Sequence, residues 1–170
     1  FFSDKEELLS SFEQAPQDRR RLYIRCLARM ATLSWSQCSS DRTYSYVDSV
    51  VGLRHRIEEA RVGDALKALG SSDPEEQEKS VQFSGDLSEL HAAIGDGDVR
   101  VSIDVFHCVS AALYLLTAIS ETGTSQINSL AVAIGSVSKA HELTSARDGV
   151  VPDFALALAR DIAECANESN

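Results

Sequence analysis

With 170 residues, of which 44% are hydrophobic and 25% charged, the chain has the composition of an ordinary globular protein and not of a disordered one. The length predicts a single domain over residues 1–170, because it leaves little room for a second hydrophobic core. A net charge of −10 repels phosphate backbones, which argues against general nucleic-acid binding.

Two helices are predicted in the N-terminal part of the chain. Residues Ser3–Glu6 have the form of a capping box, which opens a short first helix with Phe12 on its apolar side. Pro16 ends that helix and suits the first turn of the next one. In the second helix, apolar residues recur at steps of three and four until about Cys38.

A third helix is predicted to begin after Ser40. Runs of alternating β-branched residues are missing from the chain, so a helix is favoured over a strand here. The expected apolar face holds Tyr46, Val50, Leu53, Ile57 and Ala60. Gly52 and Gly63 permit either a kink or close packing, and Gly70 is typical of a helix C-terminus.

A fourth helix is predicted to start at Asp73–Glu76, which combines a capping residue, a proline and two acids. Its apolar face holds Phe83, Leu87, Leu90 and Ile94. Gly95–Asp98 is the clearest break in the chain, and the helix after it is apolar nearly all round. We expect that helix to be the most buried one, since its apolar run Val105–Ile119 is too short for a membrane span of about 20 residues.

Two more helices complete the predicted fold. Thr122–Ser125 separates the fifth helix from a sixth, and Pro152 opens a last helix after Asp148 and Gly149. The sum is an all-α, single-domain bundle of about seven helices with short connections. Stacking of paired helices, as in a solenoid, is the alternative arrangement.

The sequence shows no arrangement typical of catalysis or of a metal site. Its one adjacent His–Cys pair is His107–Cys108, and neighbours on a helix point about 100° apart, so this histidine cannot simply activate the thiol. The Asp96–Asp98 turn does not continue as a calcium loop, because His107 stands where a carboxylate ligand is required. We therefore expect no enzyme activity, no cofactor and no metal. A metal site built from His107, Cys108 and distant ligands stays open as a minor alternative.

Acidic residues are concentrated between Asp73 and Asp104. The candidate partner-binding residues are Glu75, Glu76, Glu78, Asp86, Glu89, Asp96 and Asp98. A face of this kind would steer a basic protein partner toward the chain. The alternative is that the acids serve solubility and form surface ion pairs, each of which contributes little.

Basic residues are concentrated in the predicted second and third helices. Arg21, Arg25 and Arg29 are four residues apart and therefore share one helix face. Together with Arg54 they form an alternative site, which would capture an anionic small molecule or nucleotide. The competing interpretation is that these arginines pair with nearby acids and pack their stems over apolar surface.

The cysteines favour a reducing compartment. Cys26, Cys38, Cys108 and Cys165 are widely separated and form no C-x-x-C pair. Three of them fall in apolar helical patterns, where a reduced thiol acts as a small core side chain. We expect a cytoplasmic protein without a membrane anchor. Since the chain starts with Phe1, a periplasmic location stays open if a signal peptide has been removed.

Two sequence patterns resemble those of a known protein family. The first runs from Pro16-x-x-Arg-Arg-Arg-Leu22 to Cys26-Leu-Ala-Arg29, and the second is His107-Cys-Val-Ser-Ala-Ala-Leu-Tyr114 followed by Ala118. They are similar to the N-terminal Arg/Cys-Ala-Arg helix and the late His…Ala-x-Tyr…Ala helix of helical immunity proteins from bacterial polymorphic-toxin systems. The resemblance covers the stretch from Pro16 to Ala118. It implies a helical protein, not an enzyme, that binds and blocks a co-encoded toxin, with structural roles for His107, Ala111, Ala112 and Tyr114.

Residues and resemblance together predict a cytoplasmic inhibitor of the immunity-protein type. Its acidic residues would bind a basic cognate toxin directly and cover the toxin's active site. The second hypothesis is a ligand-binding or regulatory helical bundle in which the arginines hold an anionic small molecule. The oligomeric state is left open by the sequence.

Overall fold

The computed structural model describes residues 5–147, 149 and 153–168. The helices are α1 Lys5–Gln14, α2 Gln17–Cys38, α3 Ala60–Leu69, α4 Pro74–Lys79, α5 Ser84–Gly95, α6 Ile103–Ser120, α7 Gly123–Arg147 and α8 Phe154–Glu168. Two strands, β1 Thr43–Val47 and β2 Arg54–Glu58, lie between α2 and α3, and the 3-10 turn Ser80–Phe83 joins α4 to α5. Helices take up 76% of the structure and the sheet has only two strands, so the predicted all-α helical bundle is confirmed.

The centre of the bundle is formed by α2 and α6. Helix α6 packs against α7, α2, α5 and α3, and α2 also packs against α3, α7 and α8. Within the described part of the chain, α6 is the one helix long and apolar enough to cross a membrane, and 61% of it is buried inside the protein. A core helix of a soluble protein has the same properties, as predicted for this segment.

The predicted third helix is wrong at its N-terminal part, because residues 43–58 form a β-hairpin. The strands are antiparallel, and Tyr44 lies opposite Ile57 with both side chains buried. The segment Thr43–Val47 has the character of a strand. Its threonine, tyrosines and valine favour strands, and Tyr44 is buried between exposed neighbours. The spacing of Tyr46, Val50 and Ile57 matched a helix only by coincidence. The helix itself starts later, at Ala60.

The local start and stop signals were predicted more accurately. The side chain of Asp73 accepts a hydrogen bond from the Glu75 amide at 3.0 Å, and Gly70 caps the end of α3. The predicted fourth helix starts at Pro74 as expected, but the 3-10 turn divides it into α4 and α5. Four residues of the predicted loops and caps lie outside the described residues: Ser3, Asp4, Asp148 and Pro152.

Gly63 allows α3 to approach α2 closely, which leads to a first prediction. A Cβ atom at this position would lie 2.9 Å from Nε1 of the buried Trp35. Gly63→Ala should therefore lower the free energy of unfolding by about 1–2 kcal/mol, since overpacking costs more than the gain in helix propensity. The matched control is Gly135→Ala in α7, where the added Cβ meets no atom within 4 Å. That change should stabilise the protein by about 0.5–1 kcal/mol. Urea unfolding measures both variants, and stabilisation by Gly63→Ala to the same extent as by Gly135→Ala would contradict the close approach.

Candidate functional site

The loop between β1 and β2 is a built turn. The carboxylate of Asp48 accepts hydrogen bonds from the amides of Val50 and Val51, at 2.7 Å and 3.2 Å. These two bonds are the main reason that the pKa of Asp48 is lowered. The Gly52 amide donates to the Asp48 carbonyl oxygen at 2.9 Å, and Gly52 has a φ of 72°, which favours glycine. The turn therefore has one preferred backbone shape.

This turn displays apolar side chains to solvent. Val50, Val51 and Leu53 are 79%, 64% and 61% exposed, and Val47 at the end of β1 is 50% exposed. Four of the nine large exposed hydrophobic residues in the described part of the chain thus lie within residues 47–53. We call these four residues the hairpin tip. Scattered exposed apolar residues are normal, whereas a cluster of this kind makes the hairpin tip a candidate interaction surface.

Contacts with α5 and with the turn after it hold the hairpin tip in place. The amide and hydroxyl of Ser49 donate to one carboxylate oxygen of Asp98, at 3.3 Å and 3.2 Å. Nδ1 of His55 lies 3.2 Å from Oε1 of Glu89, and Nε2 lies 3.5 Å from Oδ2 of Asp48. The Tyr46 ring stacks on the imidazole of His55, with 5.2 Å between their centroids. The hairpin is therefore attached to the acidic side of α5.

The pKa of the Tyr46 hydroxyl is raised where the hairpin contacts α5. Burial is the largest cause of its raised pKa, followed by the negative charges of Glu89, Asp48 and Asp98. Three carboxylates thus place negative charge near the Tyr46 side chain, which lies on β1 next to the hairpin tip. Arg54 and Arg56 are exposed on β2, so the hairpin adds positive charge on its other strand. The surface consequently combines an apolar centre with a charged, mainly acidic border.

A buried carboxylate fixes the base of the hairpin. Glu59 is only 1% exposed and accepts hydrogen bonds from the Ser40 amide, at 2.8 Å, and from the Tyr44 hydroxyl. Its own amide donates to the carbonyl oxygen of Arg42 at 2.8 Å. Glu59 therefore joins the segment before β1, β1 itself and the start of α3. Burial and this carboxylate raise the pKa of the Tyr44 hydroxyl, so the tyrosine stays a proton donor.

The predicted acidic residues fall into two groups. On α4, Glu75 and Glu76 are exposed, while Glu78 pairs with Arg21 of α2 at 2.6 Å. The second group, Asp86, Glu89, Asp96 and Asp98, lies on α5 and the turn that follows it. In this group Asp86 is 3.8 Å from Arg61, and Glu89 and Asp98 contact the hairpin. The structure therefore brings two members of the second group, Glu89 and Asp98, into contact with the hairpin, while Asp86 faces Arg61 of α3.

The predicted arginine set is spread over three places. Arg21 and Arg25 line one cleft of about 710 Å³, between the start of α2 and the loop before α4. Arg29 lines a separate cavity of about 380 Å³ and donates to the Gly70 carbonyl oxygen at 2.9 Å. Arg54 is on β2. The regular spacing of the first three along α2 therefore does not produce a single arginine site.

Histidines and cysteines do not combine into a metal site in the part of the chain that the structure describes. No group of three or more His, Cys, Asp or Glu side chains is placed there to hold an ion. His107 and Cys108 are adjacent on α6, and Cys108 instead contacts Cys38, with 4.0 Å between the sulfur atoms. His91 stacks on Phe106 across the α5–α6 contact, with 5.8 Å between the centroids. These side chains mainly serve packing.

The half-buried histidines make stability depend on pH. Burial lowers the pKa of His91, and burial followed by the charge of Lys139 lowers that of His107. Below the ordinary value of 6.5 the unfolded chain binds protons that the folded chain does not, so the free energy of unfolding falls as the pH drops. Urea unfolding at about pH 7.5 and about pH 5 should show this loss. A His91→Gln/His107→Gln variant should reduce it, and an equal loss in the variant would contradict the assignment.

The sequence reasoning missed the hairpin tip, although one signal for it was present. Asp48 and Gly52 are residues typical of a turn, and they enclose Val50 and Val51, which a helix over this segment would have partly buried.

No protein-family model, curated protein or solved structure matches the chain.

Proposed function

We propose that the chain is a cytoplasmic inhibitor protein of the immunity-protein type, which binds a basic protein toxin and covers its active site. The observation that carries this proposal is the hairpin tip: a rigid turn that exposes Val50, Val51 and Leu53 beside an acidic turn. An apolar centre with a polar border is the usual arrangement of a protein–protein interface. The resemblance to helical immunity proteins adds the kind of partner.

Charge supports a basic partner over a neutral one. The whole chain carries a net charge of −10, and such a field accelerates the encounter with an oppositely charged protein. Glu89 and Asp98 are engaged with the hairpin, so their main local effect is to hold the tip and keep its border negative. Asp96 is exposed in the same turn. When the partner binds, the hairpin tip would provide the buried contact area, and the acidic residues would orient the partner.

The function is tested by capture and by toxicity. The chain, carrying an affinity tag, is used to isolate partners from the lysate of its source cells, and each stoichiometric partner is identified by mass spectrometry. The partner is then expressed alone and together with this chain. The proposal expects a basic partner that stops growth when expressed alone and does not when this chain is present. A partner that is harmless alone, or toxic in both cases, would contradict it.

Charge reversal beside the tip should slow association. Asp96→Lys and Glu75→Lys change the net charge equally, and both residues are exposed, but only Asp96 belongs to the turn after α5, whose Asp98 contacts the hairpin loop. Asp96→Lys should reduce the association rate constant about 3–10-fold at low salt and weaken its salt dependence. Glu75→Lys should have a smaller effect. Surface plasmon resonance at two salt concentrations measures both, and equal slowing would place the binding face elsewhere.

A second candidate function is supported by the cleft that holds Arg21 and Arg25. Arg19, Ser71 and Ser72 also line it, and this combination of guanidinium and hydroxyl groups suits an anionic small molecule. Against this, Asp18 lines the same cleft and Glu78 pairs with Arg21. These carboxylates compete with an added anion, which places this function second.

The anion-binding function has a simple test. Thermal unfolding is measured with and without added ADP or inorganic phosphate, for the native chain and for Arg19→Gln/Arg21→Gln. Binding raises the unfolding temperature of the native chain by an amount that grows with the logarithm of ligand concentration above the Kd, and leaves the variant unchanged. An equal response of both proteins, or no response of either, would exclude this cleft as the anion site.

A further inference from the structure

The fold arranges four cysteines that are far apart in the sequence as two close pairs. The sulfur atoms of Cys38 and Cys108 are 4.0 Å apart, although 70 residues separate them in the chain. The thiol of Cys26 forms a hydrogen bond with that of Cys165. All four are free thiols in this structure. Neither pairing was visible in the sequence, because no short C-x-x-C spacing announces it.

The two pairs differ in their access to solvent. Cys26 and Cys165 are 0% and 1% exposed, so a dissolved oxidant does not reach them without unfolding of the chain. Cys38 is half-buried at the last position of α2, where the chain leaves the helix toward the hairpin. Cys108 lies fully buried behind it on α6. Only Cys38 and Cys108 therefore combine a half-buried cysteine with a fully buried one beside it.

We propose that Cys38 and Cys108 form an oxidation site, which a low-molecular-weight disulfide such as oxidised glutathione converts into an intramolecular disulfide. The two sulfur atoms must approach by about 2 Å to reach bonding distance. Cys38 is the partner able to make this movement, because it ends its helix and has no helical turn after it. This proposal does not depend on the proposed function.

The order of the chemical steps follows from the surroundings of the two thiols. The hydrogen bond from Cys108, with the charge of Arg147 as a smaller cause, lowers the pKa of Cys38. The hydrogen bond and burial raise the pKa of Cys108. The Cys38 thiolate attacks one sulfur of oxidised glutathione, which forms a mixed disulfide and releases one glutathione thiolate. Cys108 then gives up its proton to that thiolate and attacks the sulfur of Cys38, releasing the second glutathione. Two protein thiols are oxidised and one glutathione disulfide is reduced to two thiols.

The disulfide would tie the end of α2, from which the hairpin starts five residues later, to the central helix α6. The closed loop spans 70 residues, so cross-linking removes much of the conformational freedom of the unfolded chain. Oxidation should therefore raise the unfolding temperature by about 5–10 °C. A reducing agent should reverse the change.

Peptide mapping tests the proposal directly. The folded protein is incubated with oxidised glutathione, quenched in acid, denatured, alkylated with N-ethylmaleimide and digested with trypsin. We expect two alkylated cysteines instead of four, and a cross-link between peptides 30–42 and 101–139. A protein with four alkylated cysteines, a stable glutathione adduct on Cys38, or a cross-link between peptides 26–29 and 161–170 would overturn it.

Two variants keep the result interpretable. Cys38→Ser changes one atom at a half-buried helix end, so it should fold, form no disulfide and show the same unfolding temperature with and without oxidised glutathione. Cys26→Ala removes the other pair and should still form the cross-link. A rise in unfolding temperature in Cys38→Ser that equals that of the native chain would show that glutathione acts elsewhere.

Discussion

Replacing Glu59 by alanine should lower the free energy of unfolding by about 3 kcal/mol, which is one of the largest single-residue effects expected in this chain. The carboxylate is buried and accepts from the Ser40 amide and the Tyr44 hydroxyl. Its removal leaves the buried Tyr44 hydroxyl and the part-buried Ser40 amide without this acceptor, and a buried donor left unpaired costs about 1–3 kcal/mol. For a chain of this length the unfolding temperature should fall by about 6–12 °C.

The neighbouring residue supplies the control for this prediction. Glu58 is exposed at the end of β2, so Glu58→Ala removes the same charge and should change stability by less than about 0.5 kcal/mol. A double-mutant cycle of Glu59→Ala with Tyr44→Phe should give a coupling energy of about 1.5–3 kcal/mol, since the two side chains share one hydrogen bond. Additive effects of the two substitutions would show that this bond does not hold the hairpin.

Charging the hairpin tip should abolish tight partner binding without unfolding the protein. Val50 and Leu53 are 79% and 61% exposed, so aspartate at both positions is solvated in the free chain. In the complex the same carboxylates would be buried against the partner, with a high desolvation cost. We expect the dissociation constant to rise at least about 100-fold, which corresponds to about 2.7 kcal/mol. Titration calorimetry with the captured partner measures the effect.

A matched variant separates the tip from apolar surface in general. Val132 on α7 and Leu156 on α8 are 44% and 53% exposed, and Val132→Asp/Leu156→Asp introduces the same two charges away from the hairpin. This variant should bind the partner within about twofold of the native chain, apart from the change in net charge. Equal weakening by both variants would mean that binding responds to charge alone, and the hairpin tip would lose its assigned role.

The helices could be predicted from the sequence because their signals are local. Asp73 with Pro74 marks a helix start, Gly70 marks a stop, and the nearly continuous apolar run of α6 places that helix in the core. The hairpin could not be predicted in the same way. Its pairing of Tyr44 with Ile57 joins residues 13 positions apart, and the strand preference of a short segment depends on such contacts.

The candidate site was predicted only in part, for a related reason. The acidic stretch is visible in the sequence, but which acids meet the hairpin depends on how α5 packs. Glu89 pairs with His55 of the hairpin, while Glu78 of the same stretch pairs with Arg21 of α2. The exposure of Val50 and Val51 is likewise a property of the folded turn. The concentration of acidic residues in the sequence therefore predicts the negative charge beside the hairpin tip, and not the apolar centre of that surface.

Hydrogen–deuterium exchange of the captured complex is the most direct measurement of the central claim, that the hairpin tip and the acidic turn beside it bind a protein partner. We expect slower exchange on binding at residues 48–53 and 95–98, with little change in α7 and α8. Protection confined to α4, or to the cleft lined by Arg21 and Arg25, would contradict it.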